Sequence, residues 1–220
     1  MTYGTRGALA GNCGTTKMFG DIYKNQKVLI TGASGFKGTW LCWWLKQLGA
    51  NVYGVGLSPE TEQSMFKATH LESEISFFYQ DIRNKALIIE LVNKIKPRFI
   101  FHLAAQALVK ASLEDPILTF ETDILGTANL LEAIRTLPIQ CFGIIITSDK
   151  CYENREWHWG YRETDRLGGK DPYSASKAAA EIFTQSFART LLNPENNLQS
   201  ALVTTRAGNV IGGGTGQTVE

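Results

Sequence analysis

The chain has 220 residues, of which 44% are hydrophobic and 20% charged, and its 22 Lys and Arg against 21 Asp and Glu leave a net charge of +1. That composition fits one large globular domain and excludes a disordered chain, a collagen and a coiled coil. The even balance gives no electrostatic footprint for nucleic acid or for a membrane surface.

Cys13, Cys42, Cys141 and Cys151 form no C-x-x-C pair, and His70, His102 and His158 are far apart. No metal site is expected, and free thiols point to a reducing, cytoplasmic setting. No stretch approaches the roughly 18 apolar residues of a membrane-spanning helix. Residues 1–17 are rich in Gly and Thr and lack an apolar signal-like core. We expect a flexible extension over 1–17, or upstream sequence before a true start at Met18. A main domain over 18–214 and a divergent tail over 215–220 complete the division.

Lys27-Val-Leu-Ile-Thr31 reads as a buried parallel strand. A glycine-rich turn follows, then a helix over 36–48 that is expected to bury Trp40, Leu41, Trp44, Leu45 and Leu48 on one face. Gly49 caps it. Strands are expected over 51–56 and 75–79, with 57–73 irregular between them. A helix over 85–95 puts Leu87, Ile88, Leu91, Val92 and Ile95 on one face, and Pro97 stops it. Strands at 98–103, 142–147 and 199–205 alternate with long helices at 116–135 and 171–190. This alternation predicts an α/β domain: a doubly wound, Rossmann-type parallel sheet with helices on both faces.

Gly32-Ala-Ser-Gly35-Phe-Lys-Gly38 lies between a strand and a helix. There the first glycine permits the tight turn and the second lets a pyrophosphate approach the helix N-terminus. Dinucleotide binding follows from that context. Residues 51–62 contain no Lys or Arg, and Glu60 and Glu62 would repel a 2′-phosphate, so NAD is favoured over NADP. Lys37 argues the other way. Tyr173-Ser-Ala-Ser-Lys177 places a phenol and an ammonium one helical turn apart. The cation is expected to favour the phenolate and make Tyr173 a general base. Thr147-Ser148-Asp149-Lys150 falls at the C-terminal end of the fifth strand. It is either a polar catalytic trio or a Ser-Asp turn.

Together these stretches resemble the extended short-chain dehydrogenase/reductase family, and within it the nucleotide-sugar 4,6-dehydratases. The likeness runs over about 27–214. His102-Leu-Ala-Ala-Gln106, Ser148-Asp-Lys-Cys-Tyr-Glu-Asn-Arg-Glu-Trp157, Gly160-Tyr-Arg-Glu-Thr164, Gly168-Gly169 and Arg206-Ala-Gly-Asn-Val-Ile-Gly-Gly-Gly214 also carry it. The resemblance implies NAD held by Gly32, Gly35, Phe36, Lys37, Gly38, Asp81, Ile82, Ala104, Ala105 and Lys177. It implies a nucleotide-sugar substrate, CDP-glucose, contacted by Gln106 and Asn209. Tyr173 and Lys177 would oxidise C4 with Ser148 on the C4 oxygen. Asp149 would protonate the leaving C6 hydroxyl, and Lys150 would serve as the C5 base or stabilise the enolate. His102 is expected in the core or behind the site, and Trp157 and Trp159 shape a pocket or simply pack. The resemblance further implies a homodimer paired through 116–135 and 171–190.

Three departures stand out. Ser58 replaces an acid, Asp123 stands where the family carries Asn, and the sequence after Gly214 diverges, so the C-terminal substrate domain is expected to be largely missing. The competing readings are a non-catalytic NAD-binding module and a sugar-nucleotide epimerase.

Overall fold

β1 (Lys27–Thr31) is the centre of the molecule, with β2 (Asn51–Gly56) on one side and β4 (Phe99–His102) on the other. The computed structural model describes residues 18–59, 61–192 and 200–210. The expected extension over 1–17 and tail over 215–220 lie outside the described residues. β3 (Ser76–Tyr79) flanks β2, while β5 (Phe142–Ser148) and β6 (Ala201–Ala207) extend beyond β4. The six strands run in the order β3-β2-β1-β4-β5-β6, and every pairing is parallel. The order reverses between β1 and β4. In open α/β sheets ligands bind at that crevice, outside the carboxyl ends of the strands.

Side-chain alternation along β1 explains the two cores. Leu29 faces one side, with Ile88, Leu91, Leu130, Ile134, Ile145 and Phe187. Val28 and Ile30 face the other, with Cys42, Leu45, Phe66 and Leu71. The first core lies under α4 (Lys85–Ile95), α7 (Gly126–Arg135) and α8 (Pro172–Thr190), the second under α1 (Phe36–Gln47). Helices therefore cover both faces around β1. Toward the β6 edge the α1 side thins out: Val203, in register with Ile144, is 54% exposed.

Four expectations change. Helix α1 turns Gly38, Thr39, Cys42 and Leu45 inward and leaves Trp40 and Trp44 about half exposed. The small residues win that face because the helix enters against the glycine turn. Leu87, expected on the buried face of α4, is on its outside. Residues 57–73 are not wholly irregular, since α2 (Met65–Ala68) falls there and α3 (Leu71–Glu74) starts there, with Phe66 and Leu71 buried beneath them. The helix expected over 116–135 runs unbroken across those residues but is not α-helical throughout. After α5 (Val109–Glu114) come α6 (Pro116–Phe120), a π turn over Glu121–Leu125, and then α7. Such single π turns insert one residue and are frequent at functional sites.

Candidate active site

All the candidate residues follow the carboxyl ends of strands or open the helices next to them. The glycine turn leaves β1. Gly32 has φ +71°, and a Cβ on it would lie 2.6 Å from the Ala104 nitrogen. Only glycine lets the turn lie this close to the chain leaving β4. A Cβ on Gly38 would meet the Gly32 carbonyl oxygen at 2.1 Å. Gly35 occupies the N-cap of α1 without a side-chain cap, and the first turn carries no acid. The amide donors at that end are therefore left for an anion, which suits a pyrophosphate. Lys37 lies in the same turn, half-buried, and burial lowers its pKa.

Asp81 and Ile82 follow β3. Asp81 is gripped by Arg83 at 2.6 and 2.9 Å, which holds its carboxyl below the usual range despite partial burial. Ile82 belongs to the core, and its side chain closes on Gly126. Ala104 and Ala105 lie half-buried beyond β4. Gln106 is turned back into its own loop. Its amide donates to the Leu108 carbonyl at 3.0 Å and the Thr119 hydroxyl at 2.9 Å, and its oxygen accepts from the Leu108 amide at 2.6 Å. As a substrate ligand it would have to give these up. Asn209 is exposed after β6.

Ser148 ends β5, and Asp149–Cys151 makes a 3-10 turn directly after it. The Ser-Asp turn is present. The Ser148 hydroxyl accepts from the Lys150 amide at 3.2 Å, so it caps the turn, and it donates to Asp149 at 3.1 Å. Asp149 stays exposed and Lys150 half-buried.

Helix α8 is started by Asp171, whose carboxylate accepts from the Ser174 amide at 2.9 Å, with Pro172 in the first turn. That places Tyr173 and, one turn on, Lys177 against the carboxyl ends of the strands. Both are buried, and the Lys177 ammonium lies 5.8 Å from the Tyr173 ring centroid. The expected lowering of the Tyr173 pKa is not found. Burial raises it, Asp123, Asp149 and Asp171 add to that, and only the Ser148 hydroxyl opposes. Lys177 is lowered, first by burial, with Asp123 opposing and Lys37 assisting. In this state the phenol is held protonated.

His102 is fully buried, and burial together with the Lys177 charge lowers its pKa to about 3, so the ring is neutral. Its hydrogen bonds fix the tautomer. Thr127 donates its only hydroxyl proton to the Asp123 carbonyl at 2.6 Å, so it must accept from His102 Nε2 at 3.0 Å. Nδ1 then accepts from Thr31 at 2.6 Å, and Thr31 in turn accepts from the Ala104 amide at 3.3 Å.

A family model described as GDP-mannose 4,6 dehydratase matches residues 29–198. The chain belongs to that family. Among members of this dehydratase family and its relatives, Salmonella typhimurium CDP-glucose 4,6-dehydratase is 43% identical over 196 residues, 88% of this chain and 55% of that protein. Salmonella typhi CDP-paratose 2-epimerase is 31% identical over 180 residues, 74% of this chain and 53% of that protein. The chain spans about half the length of the curated relatives it matches. Among solved structures, a Thermus thermophilus UDP-glucose 4-epimerase complex with NAD superposes with TM-score 0.68 and 30% identity over 82% of this chain and 54% of that chain. The Rossmann-type, extended short-chain dehydrogenase/reductase reading of the sequence therefore stands.

One cluster beside this dehydratase-family site was not anticipated. Glu181, with 0% side-chain exposure, accepts from Thr147 at 2.6 Å, Thr204 at 2.9 Å and Arg206 at 3.1 and 3.2 Å. Arg206 also lies 4.7 Å over the Tyr152 ring. The cluster ties β5, immediately before Ser148, to α8 and β6. Its signal was present in the sequence: Tyr173, Lys177 and Glu181 recur every four residues, so an acid stands on the buried face of the helix. Among the described residues no group of His, Cys, Asp and Glu could hold a metal ion, and no helix is long and apolar enough to cross a membrane.

Proposed function

We propose that the chain is the NAD-binding part of a nucleotide-sugar 4,6-dehydratase that converts CDP-glucose to CDP-4-keto-6-deoxyglucose and water. The observation that carries this reading is the turn after β5. It sets an exposed carboxyl and a lysine directly beyond Ser148, at the same sheet edge as Tyr173. An epimerase has no leaving hydroxyl to protonate and no need of such a pair. Similarity to the Salmonella CDP-glucose enzyme supports the substrate.

When bound, NAD supplies the hydride acceptor and donor of a redox-neutral elimination. Gly32, Gly35 and Gly38, with the first-turn amides of Phe36 and Lys37, would hold its pyrophosphate, Asp81 and Ile82 would border the adenine, and Ala104 and Ala105 the ribose side. Lys177 would donate to the nicotinamide ribose. Tyr173 takes the proton of the sugar C4 hydroxyl, with Ser148 on the same oxygen. The burial that keeps the phenol protonated would have to be offset once the cleft is occupied. The C4 ketone acidifies the C5 hydrogen. Lys150 would remove that proton and later return one to C5, or would stabilise the enolate while solvent carries the proton; Asp149 would protonate the departing C6 hydroxyl, which leaves as water, and C6 would take back the hydride. Asn209 borders the nucleotide sugar. Exposed Ile117, Leu125 and Ile182 support pairing of two copies through 116–135 and 171–190.

The test is to incubate the chain with NAD and CDP-glucose and follow loss of one water by mass spectrometry. Tyr173→Phe is expected to abolish product while binding NAD as before. Lys150→Ala is expected to stop with reduced-nicotinamide absorbance accumulated. NAD binding with no turnover in the unaltered chain would assign the non-catalytic reading, and a C4 epimer without water loss the epimerase reading.

A further inference from the structure

The turn that carries Asp149 and Lys150 is three residues long, Asp149–Cys151, and too short to hold its own shape. Asp149 is exposed and Lys150 half-buried, so their aim follows the backbone of the turn. That backbone is fixed at its two ends. Upstream is Thr147, whose hydroxyl donates to the buried Glu181 carboxylate at 2.6 Å. Downstream is Tyr152, whose amide donates to the Asp149 carbonyl at 3.2 Å and closes the turn. Beyond Tyr152 the chain leaves on a loop over 153–166 and returns beside its own start. Tyr152 forms an antiparallel bridge with Leu167, the Glu153 amide donates to the Arg166 carbonyl at 2.9 Å, and the Gly168 amide to the Cys151 carbonyl at 2.9 Å.

The Tyr152 ring has a cation over it and a second ring stacked on it. The Arg206 guanidinium carbon lies 4.7 Å from its centroid, and the Tyr161 ring 5.0 Å away at 21°. Both contacts are attractive. Neither partner is loose. Arg206 pairs with Glu181 at 3.1 Å and also donates to the Glu163 carbonyl at 3.1 Å. Tyr161 donates its hydroxyl to the Asn154 side-chain oxygen at 3.0 Å and accepts from the Arg155 amide at 2.7 Å. Trp157 packs on Tyr161, and Trp159 on Trp157, each at 5.2 Å, so the two indoles lie in one row with Tyr161 and Tyr152. Both ends of the turn therefore lead to one largely buried ion pair: Thr147 through Glu181, Tyr152 through Arg206.

We propose that Tyr152 is a positioning residue for the elimination step, holding the Asp149–Lys150 turn in one arrangement through Arg206 and Tyr161. It acts through the turn and not on the sugar. Without the ring the downstream end of the turn frays, while Ser148 stays on β5. Oxidation at C4 uses Tyr173, Lys177 and Ser148, which α8 and β5 hold, so the elimination alone feels the loss. The inference rests on the reading of Asp149 and Lys150 as the elimination pair for one of its two readouts and is independent of it for the other.

Hydrogen exchange of the unliganded chain gives the first readout. In Tyr152→Leu the amides of residues 150 and 152 are expected to exchange about tenfold faster, with those of β5 and α8 unchanged. Tyr152→Phe keeps the ring and should stay within about threefold of the parent. Unchanged exchange in Tyr152→Leu, an acceleration shared by β5 and α8, or as large an effect in Tyr152→Phe overturns the proposal. Tyr161→Leu leaves Tyr152 and the ion pair in place and should show the same local effect, so it decides should Tyr152→Leu fail to fold; parent-like exchange there overturns the proposal as well. The second readout uses NAD and CDP-glucose. Tyr152→Leu should reduce the cofactor as fast as the parent but lose water about tenfold more slowly, so that reduced-nicotinamide absorbance accumulates. Equal slowing of both steps overturns the proposal. No cofactor reduction by the unaltered chain refutes the dehydratase reading instead, and the exchange series alone then decides on Tyr152.

Discussion

Replacing Arg206 with Met tests the cluster that fixes the end of β5. The substitution keeps most of the apolar stem and removes the guanidinium. Glu181 has 0% side-chain exposure and Arg206 10%, so the surviving carboxylate cannot turn to water. Stranding one member of a buried pair costs about 3–5 kcal/mol. Thr147, Thr204 and Gln185 still donate to Glu181, at 2.6, 2.9 and 3.3 Å, which argues for the low end, about 3 kcal/mol. For a chain of this size each kcal/mol moves the midpoint by about 2–4 °C, so a fall of roughly 6–12 °C is expected. Glu181→Gln/Arg206→Met removes both charges and should be more stable than Arg206→Met alone. Burial works against the Glu181 anion, but Arg206, Thr147 and Thr204 outweigh it and hold the carboxyl below its ordinary value. That contribution is present above the unfolded pKa of about 4.3 and is lost as pH falls through the folded value. The gap between the unaltered protein and Arg206→Met should therefore narrow in acid. Calorimetry and guanidinium unfolding from pH 3 to 8 read both effects. Additive single variants, or Arg206→Met within about 0.5 kcal/mol of the parent, would show the ion pair to be idle.

The glycine turn separates folding from binding. Gly38→Ala pushes a Cβ to 2.1 Å from a backbone oxygen and should cost about 3 kcal/mol, whereas Gly35→Ala meets only the Gly32 oxygen at 3.3 Å and should cost under about 1 kcal/mol while weakening NAD by tenfold or more. Thermal melts and NAD titration distinguish them, and an intact NAD affinity in Gly35→Ala counts against the pyrophosphate site. Buried neutral His102, with a pKa of about 3, makes stability fall as pH drops from 6.5 toward 3, by at most about 1.4 kcal/mol per pH unit. His102→Gln should flatten that slope, and an unchanged slope refutes the assignment. Burial raises the thiols of Cys42 and Cys141 to about 12, so both should resist alkylation at pH 8 until the chain unfolds. Rapid labelling of the native protein would contradict their burial.

The strands, the glycine turn and the Tyr173–Lys177 pair were legible because each is written in short-range spacing. An apolar run, three glycines or two residues a turn apart need no knowledge of what lies across the molecule. The face of α1 was not legible. Trp40 and Trp44 dominate any apolar pattern, yet a helix that begins against Gly32 and Gly38 lies too close to the sheet for indoles, and Thr39 and Cys42 take that side. The π turn was hidden for a similar reason. Residues 116–135 read as one helix by their apolar spacing, and the π turn falls where Asp123 meets Gln106, Ser176 and Lys177. The direction of the Tyr173 shift also depended on its surroundings. The neighbouring lysine and Asp171 were visible in sequence, while burial and the acids from two other segments, Asp123 and Asp149, were not.

The row of donors through His102 has a fixed direction. It runs from the Ala104 amide through Thr31, the imidazole and Thr127 to the Asp123 carbonyl. Both of its ends are peptide groups, and neither can give up or take on a proton at ordinary pH. The row resembles a proton wire in form, but it is an insulator. No proton entering at one end has anywhere to go, and reversing one link would leave two donors or two acceptors face to face at each end. It can only be whole or broken. Its effect is to tie the turn leaving β1, the loop leaving β4 and the backbone of the π turn into one register.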